Sequence, residues 1–234
     1  MPPRRRRTPT FLTALAATAL ALAGLSGCGS GGSSHAGGSE DGSGEAPSTG
    51  GPSASGYYGA LLPANQPPRE FTLTDQYGRR VSLRDLRGRV VILAFLYTAS
   101  KTTAPLIAQQ IRGALDELES EPHPRVPHQR VGGQPIPALA ISVSPAGDTP
   151  AHVRAFLRET SLTGRLEYLT GTPAQLRAVW RAYGVVPASA GASTYESATF
   201  VLLLDRTGGR RVEFPVEQLT PEALAHDIGR LEAE

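Results

Sequence analysis

The chain has one cysteine in 234 residues. Intramolecular disulfides, a CxxC redox pair and multi-thiolate zinc sites each need at least two sulfurs, so all of them are excluded. That single residue, Cys28, lies in the N-terminal tract, so the rest of the chain offers no thiol and peroxiredoxin chemistry is excluded too. The chain also lacks a retained basic patch. Four of its 23 basic residues are the run Arg4–Arg7, and without them 19 basic residues face 21 acidic ones, a net of −2. The remaining arginines are scattered among carboxylates, which argues against a nucleic-acid surface.

Residues 4 to 28 read RRRRTPTFLTALAATALALAGLSGC, a cationic head followed by an Ala- and Leu-rich stretch. The stretch falls short of the ~20 apolar residues of a membrane span, so it reads as a secretory signal. Arg6-Arg7-Thr8-Pro9 is a poor match to a twin-arginine export signal. Leu25-Ser26-Gly27-Cys28 resembles a bacterial lipobox. That resemblance implies cleavage before Cys28 and diacylglyceryl transfer to its sulfur, giving a lipid-anchored protein on the extracytoplasmic face of the cell membrane. From Gly29 to Gly56 the chain is mostly Gly and Ser with a few acids. Such a segment cannot bury enough apolar surface to offset the entropy of ordering. The organisation expected is a signal peptide at 1–27, a flexible tether at 28–60 that includes a solvated His35, and one folded domain at 61–234.

In that domain Phe71 and Leu73, then Val81 and Leu83, alternate with polar residues around Asp75-Gln76-Tyr77-Gly78, the pattern of a β-hairpin. Val90–Leu96 is continuously apolar and suits a central strand covered on both faces. A helix is expected from Pro105 to about Glu119, with Leu106, Ile107, Ile111, Leu115 and Leu118 inward. Thr149-Pro150, Thr172-Pro173 and Thr220-Pro221 each supply an N-cap hydroxyl followed by proline at the first helical position. Apolar residues follow each at helical spacing, Trp180 is expected in the core, and Gly184 closes the second of these helices. Strands are expected at Ala138–Val143, Leu166–Leu169, Ala198–Leu204 and Val212–Phe214, the last two joined by a Gly-Gly loop. The segment Glu121–Pro137, with five prolines, reads as an exposed loop. A leading hairpin, a βαβ half and a ββα half make the thioredoxin-like plan, an α/β fold with a central mixed sheet flanked by helices.

In that plan the reactive groups lie between the first central strand and the next helix, whose N-terminus lowers a thiol pKa. Here the segment is Tyr97–Pro105. At this point the chain resembles the SCO/SenC family, thioredoxin-like copper chaperones for cytochrome c oxidase assembly. The resemblance rests on FTLTDQYGRRVSLRDLRGRVVILAFLYT, ISVSPAGDTPAHVRAFL and LTGTPAQLRAVWRAYGV. Family members hold copper through two cysteines four residues apart and a histidine before the penultimate strand, thiolates being suited to Cu(I). The resemblance places the cysteine positions on Ser100 and Ala104 and the histidine position on Glu196. A hydroxyl, a methyl group and a carboxylate offer no soft donor, so no copper cofactor is expected. Either drift in a paralogue or selected loss with retention of a docking surface leaves this pattern. The function expected is a non-catalytic accessory factor. Its partners would be the membrane, through the anchor, and an oxidase subunit or another copper-handling protein. The alternative is a copper carrier using other ligands such as His123 and His128.

Other groups weigh less. His152 and His226 stand apart on two helices. Ser100 near a helix N-terminus would suit a nucleophile, but no histidine is placed beside it by the motif. Asp148 and Glu196 could pair around a hard cation, although nothing in the spacing requires them to meet. Tyr57-Tyr58 and Leu61-Leu62 would either dock a partner or cap an edge of the domain, with capping the favoured reading.

Overall fold

The computed structural model describes residues 51–120, 135–185 and 199–234. Among the described residues, eight strands fall in two sheets. The main sheet contains β1 (Ala60–Leu61), β4 (Val91–Leu96), β5 (Ala138–Ser142), β6 (Leu166–Leu169), β7 (Val201–Leu204) and β8 (Arg210–Phe214), in the order β1-β8-β7-β4-β5-β6. β5 runs parallel to β4 and to β6, whereas β7 is antiparallel to β4 and β8. β2 (Thr72–Thr74) and β3 (Arg80–Ser82) form a separate hairpin, in the place the alternation predicts.

β4 is central because every one of its residues is apolar and buried. Its even positions Ile92, Ala94 and Leu96 face a core built with α1 (Thr103–Ser120), α2 (Pro150–Glu159) and the C-terminal helix α4 (Pro221–Ala233). The odd positions Val91, Leu93 and Phe95 face a second core built with α3 (Pro173–Tyr183) and the hairpin. Two-sided burial explains the absence of polar alternation along this strand. The arrangement is the thioredoxin-like α/β fold expected from the element order.

Thr149, Thr172 and Thr220 cap their helices as predicted, each hydroxyl accepting a backbone N–H. Gln175 completes a capping box with Thr172, and Gly184 ends α3 at φ 75°. α1 differs from its expectation. It starts at Thr103, and its inward stripe is Ala104, Ile107, Ala108, Ile111, Ala114 and Leu115. Leu106 is one position off that stripe and 41% exposed, which corrects its placement in the core. Half of the stripe is alanine, and α4 lies close beside it: a Cβ on neighbouring Gly113 would stand 2.8 Å from Pro221 Cγ. Trp180 is half-buried against the α3-side core, its indole N–H donating to the Ser142 carbonyl at 3.0 Å.

β1 was not expected as a strand. Its two residues add to β8 and cover that edge, so the capping reading of residues 57–62 holds. Tyr57 is 2% exposed, and residues just before β1 bond to α4, so packing reaches into the segment whose composition suggests a tether.

Candidate functional site

The candidate site is the carboxyl end of β4, where Tyr97–Pro105 leads into α1. Ser100 is buried, and its Oγ accepts the Ala104 N–H at 3.1 Å, satisfying an amide that the first turn of the helix would otherwise leave orphaned. Ala104 is fully buried as the first residue of the α1 stripe. The two positions that resemblance assigns to metal-binding cysteines therefore hold a capping hydroxyl and a core methyl group. Neither is a donor suited to Cu(I). Glu196 lies outside the described residues, as do Cys28, His35, His123 and His128.

Asp148 organises this end of the sheet. Its Oδ1 accepts the Thr98 N–H at 2.8 Å and the Thr98 hydroxyl at 2.7 Å. Its Oδ2 accepts the Ser142 hydroxyl at 2.6 Å and the Tyr168 hydroxyl at 2.8 Å. One buried carboxylate thus joins the loop after β4, the end of β5, the N-cap of α2 and β6. Burial, then the adjacent carboxylate, hold the Tyr168 phenol well above its ordinary value of 10.0, so it stays protonated and remains a donor. Gln76 extends the network: the β2–β3 turn brings its side-chain oxygen to the Tyr168 N–H at 2.9 Å. Asp148 uses both oxygens in these bonds, so its geometry is that of a structural clamp. Sequence reasoning weighed Asp148 only as a partner for Glu196. The available signal was its place one residue before a Thr-Pro cap, where a carboxylate can reach back across the strand ends.

The two described histidines also have local partners. His152 Nδ1 lies 2.8 Å from the Gly147 carbonyl, and His226 Nδ1 lies 3.0 Å from Asp227 Oδ1. Among the described residues, no three His, Cys, Asp or Glu side chains cluster as metal ligands.

The fold and the segment matched give the family. The SCO1/SenC family model matches residues 61–232. The chain belongs to the SCO1/SenC family. Over 115 residues it is 30% identical to the mitochondrial SCO1 homolog 2 of Arabidopsis thaliana, a match covering 49% of this chain and 37% of that protein. The chain thus spans little more than a third of that curated relative. The copper-bound ScoI of Bradyrhizobium japonicum is similar with a TM-score of 0.50 and 27% identity, over 70% of this chain and 99% of that one. A SCO1/SenC family lipoprotein from Bacillus anthracis has a TM-score of 0.56 and 21% identity, over 75% of this chain and 100% of that one, and shares the fold.

Proposed function

We propose that this SCO1/SenC protein is a non-catalytic accessory factor, lipid-anchored through Cys28 at the extracytoplasmic face of the membrane. It acts in cytochrome c oxidase assembly or copper handling through protein contacts, without a Cys/Cys/His copper site of its own. The observation that carries the reading is the β4–α1 loop, where Ser100 is committed as a helix cap and Ala104 to the core. Family membership supports the assembly context, and the Bacillus anthracis neighbour supports the lipoprotein anchor. The Asp148 clamp supports a loop kept in shape for contact with a partner, because it holds Thr98 without offering an open metal position.

A Cu(I) titration of the full-length chain in detergent tests this, run beside the variant Ser100→Cys, Ala104→Cys, Glu196→His. The expected result is no stoichiometric copper on the wild type and one equivalent on the variant, since two thiolates and an imidazole restore the soft donor set. Tight binding of one copper by the wild type overturns the reading and directs mutation to His123 and His128. Absence of binding by both overturns the correspondence of the three positions.

A further inference from the structure

Residues 53–62 lie across the domain as a strap in a cradle. The chain turns at Ser53, whose carbonyl accepts the Gly56 N–H at 2.7 Å and whose N–H donates to the Tyr57 carbonyl at 2.8 Å. Tyr57 is buried, with the Arg230 guanidinium 4.9 Å from its ring centroid and its hydroxyl donating to Glu234 Oε1 at 2.6 Å. Tyr58 and Gly59 give their N–H groups to Asp227, and Ala60–Leu61 pair with Glu213 and Val212 of β8. Leu62 donates its N–H to the Arg211 carbonyl at 2.9 Å, and its own carbonyl accepts from the Arg211 guanidinium at 3.1 Å. These partners lie on β8, on α4 and on Glu234 at the end of α4. An aromatic anchor, a paired strand edge and two amides on a buried carboxylate are the chemistry by which a sheet edge takes up an extended peptide.

The connection from the strap to the rest of the domain reads Pro63-Ala64-Asn65-Gln66-Pro67-Pro68. Proline fixes its own φ at about −65° and pushes the residue before it towards extended backbone, so most of this segment is stiff. The bend falls on Asn65, which is exposed and held at φ 62°. That is the left-handed region, which L-residues enter at a cost, Asn at less cost than most. Turning Asn65 to extended backbone straightens the connection, removes that cost and carries the strap off its cradle as one piece. The cradle is then left uncovered where Gly59 packs, a site so close that a Cβ would meet Val212 Cγ1 at 2.4 Å and Phe214 Cε2 at 3.0 Å.

We infer that the strap exchanges between two copies of this chain, residues 53–62 of each filling the α4–β8 cradle of the other. The strap of a second copy brings the same Tyr57, Tyr58 and Gly59 to the same Asp227, Glu234 and β8 edge, so the fit is the one already described. Two opened copies complete each other's cradles about a two-fold axis, which closes the assembly at a dimer. The contacts of the closed chain are regained, and both copies release Asn65 from the left-handed region. The lost freedom of association opposes this gain, so the dimer depends on concentration. The β4–α1 loop makes none of these contacts.

Native mass spectrometry of the full chain carrying Cys28→Ser, which keeps two acyl anchors from sharing one micelle, tests the exchange over a range of protein concentration. The expected result is a dimer fraction that rises with concentration. Its dissociation constant should fall roughly tenfold or more in Asn65→Val and rise in Asn65→Gly, because a β-branched residue resists the left-handed region and glycine accepts it. Tyr57→Ala breaks the strap and Asp227→Ala breaks the cradle, so each alone should weaken the dimer. Mixed together, they should give heterodimer in excess of the statistical share, since an intact strap then meets an intact cradle. Monomer at every concentration in both wild type and Asn65→Val overturns the exchange. A dimer that ignores both Asn65 substitutions also overturns it, as does one without heterodimer excess on mixing, because each places the contact on another face. Where Tyr57→Ala or Asp227→Ala fails to fold, the two Asn65 variants decide, since neither alters the strap or the cradle.

Discussion

Asp75 shows how much one side chain sets in this domain. Its Oδ1 accepts the Tyr77 N–H at 2.9 Å and the Arg79 N–H at 2.8 Å, and Oδ2 accepts Arg79 Nε at 2.7 Å, closing the β2–β3 turn. Burial pushes the carboxyl up, but these N–H groups and the Arg79 charge outweigh it and hold Asp75 below its ordinary 3.8. A depressed folded value means that the unfolded chain takes up the proton first as pH falls. The stabilising contribution is therefore complete above the unfolded value and is lost as pH drops through the folded one. Urea unfolding from about pH 7 to about pH 3 should show stability falling below about pH 4, with a shallower fall in Asp75→Asn. Glu234 retains part of the slope in that variant, because the Tyr57 hydroxyl, at 2.6 Å, holds it low as well. The hairpin turn was readable from Asp75 and Gly78. The role of Asp148 was not, because its partners at Thr98, Ser142 and Tyr168 come from three separate stretches of sequence.

Elements with local signals fell where those signals put them. Thr172, Gln175 and Gly184 fix both ends of α3 within fifteen residues of sequence. β1 had no such signal, since two residues carry no period and Ala60–Leu61 becomes a strand only because β8 offers an open edge. The device that holds it lies 168 residues on from Gly59. Asp227, fully buried on α4, accepts the Gly59 N–H at 2.9 Å and the Tyr58 N–H at 3.0 Å, while His226 stacks edge-on against Tyr58. Gly59 is required there, because a Cβ would meet Val212 Cγ1 at 2.4 Å. Asp227→Ala should cost about 1–3 kcal/mol, the usual effect of leaving buried N–H groups without an acceptor. Chemical denaturation would give that loss, and hydrogen exchange at Tyr58 and Gly59 should quicken more than at β4.

For the molecule as a whole, the reading to test is the proposed attachment to a membrane. No helix among the described residues is long and apolar enough to cross one. The proposed anchor is the acyl chains on Cys28, each buried CH₂ contributing roughly 0.8 kcal/mol. Cys28→Ser should shift the protein from the membrane fraction to the soluble fraction of fractionated cells, with the folded domain's unfolding midpoint unchanged. Retention in the membrane fraction would place the attachment elsewhere.

Sequence alone determined the main elements of this protein because their causes are local: two-sided apolar runs make buried strands, and Thr-Pro pairs start helices. That residues 97–105 carry no thiol was also settled before any coordinates. Tertiary structure decided what depends on distant residues meeting. It turned Asp148 into a clamp, tied Tyr58 and Gly59 to α4, and moved Leu106 to the surface. Each of these follows from neighbours set by sheet order rather than by chain order, and no periodicity in the sequence encodes them.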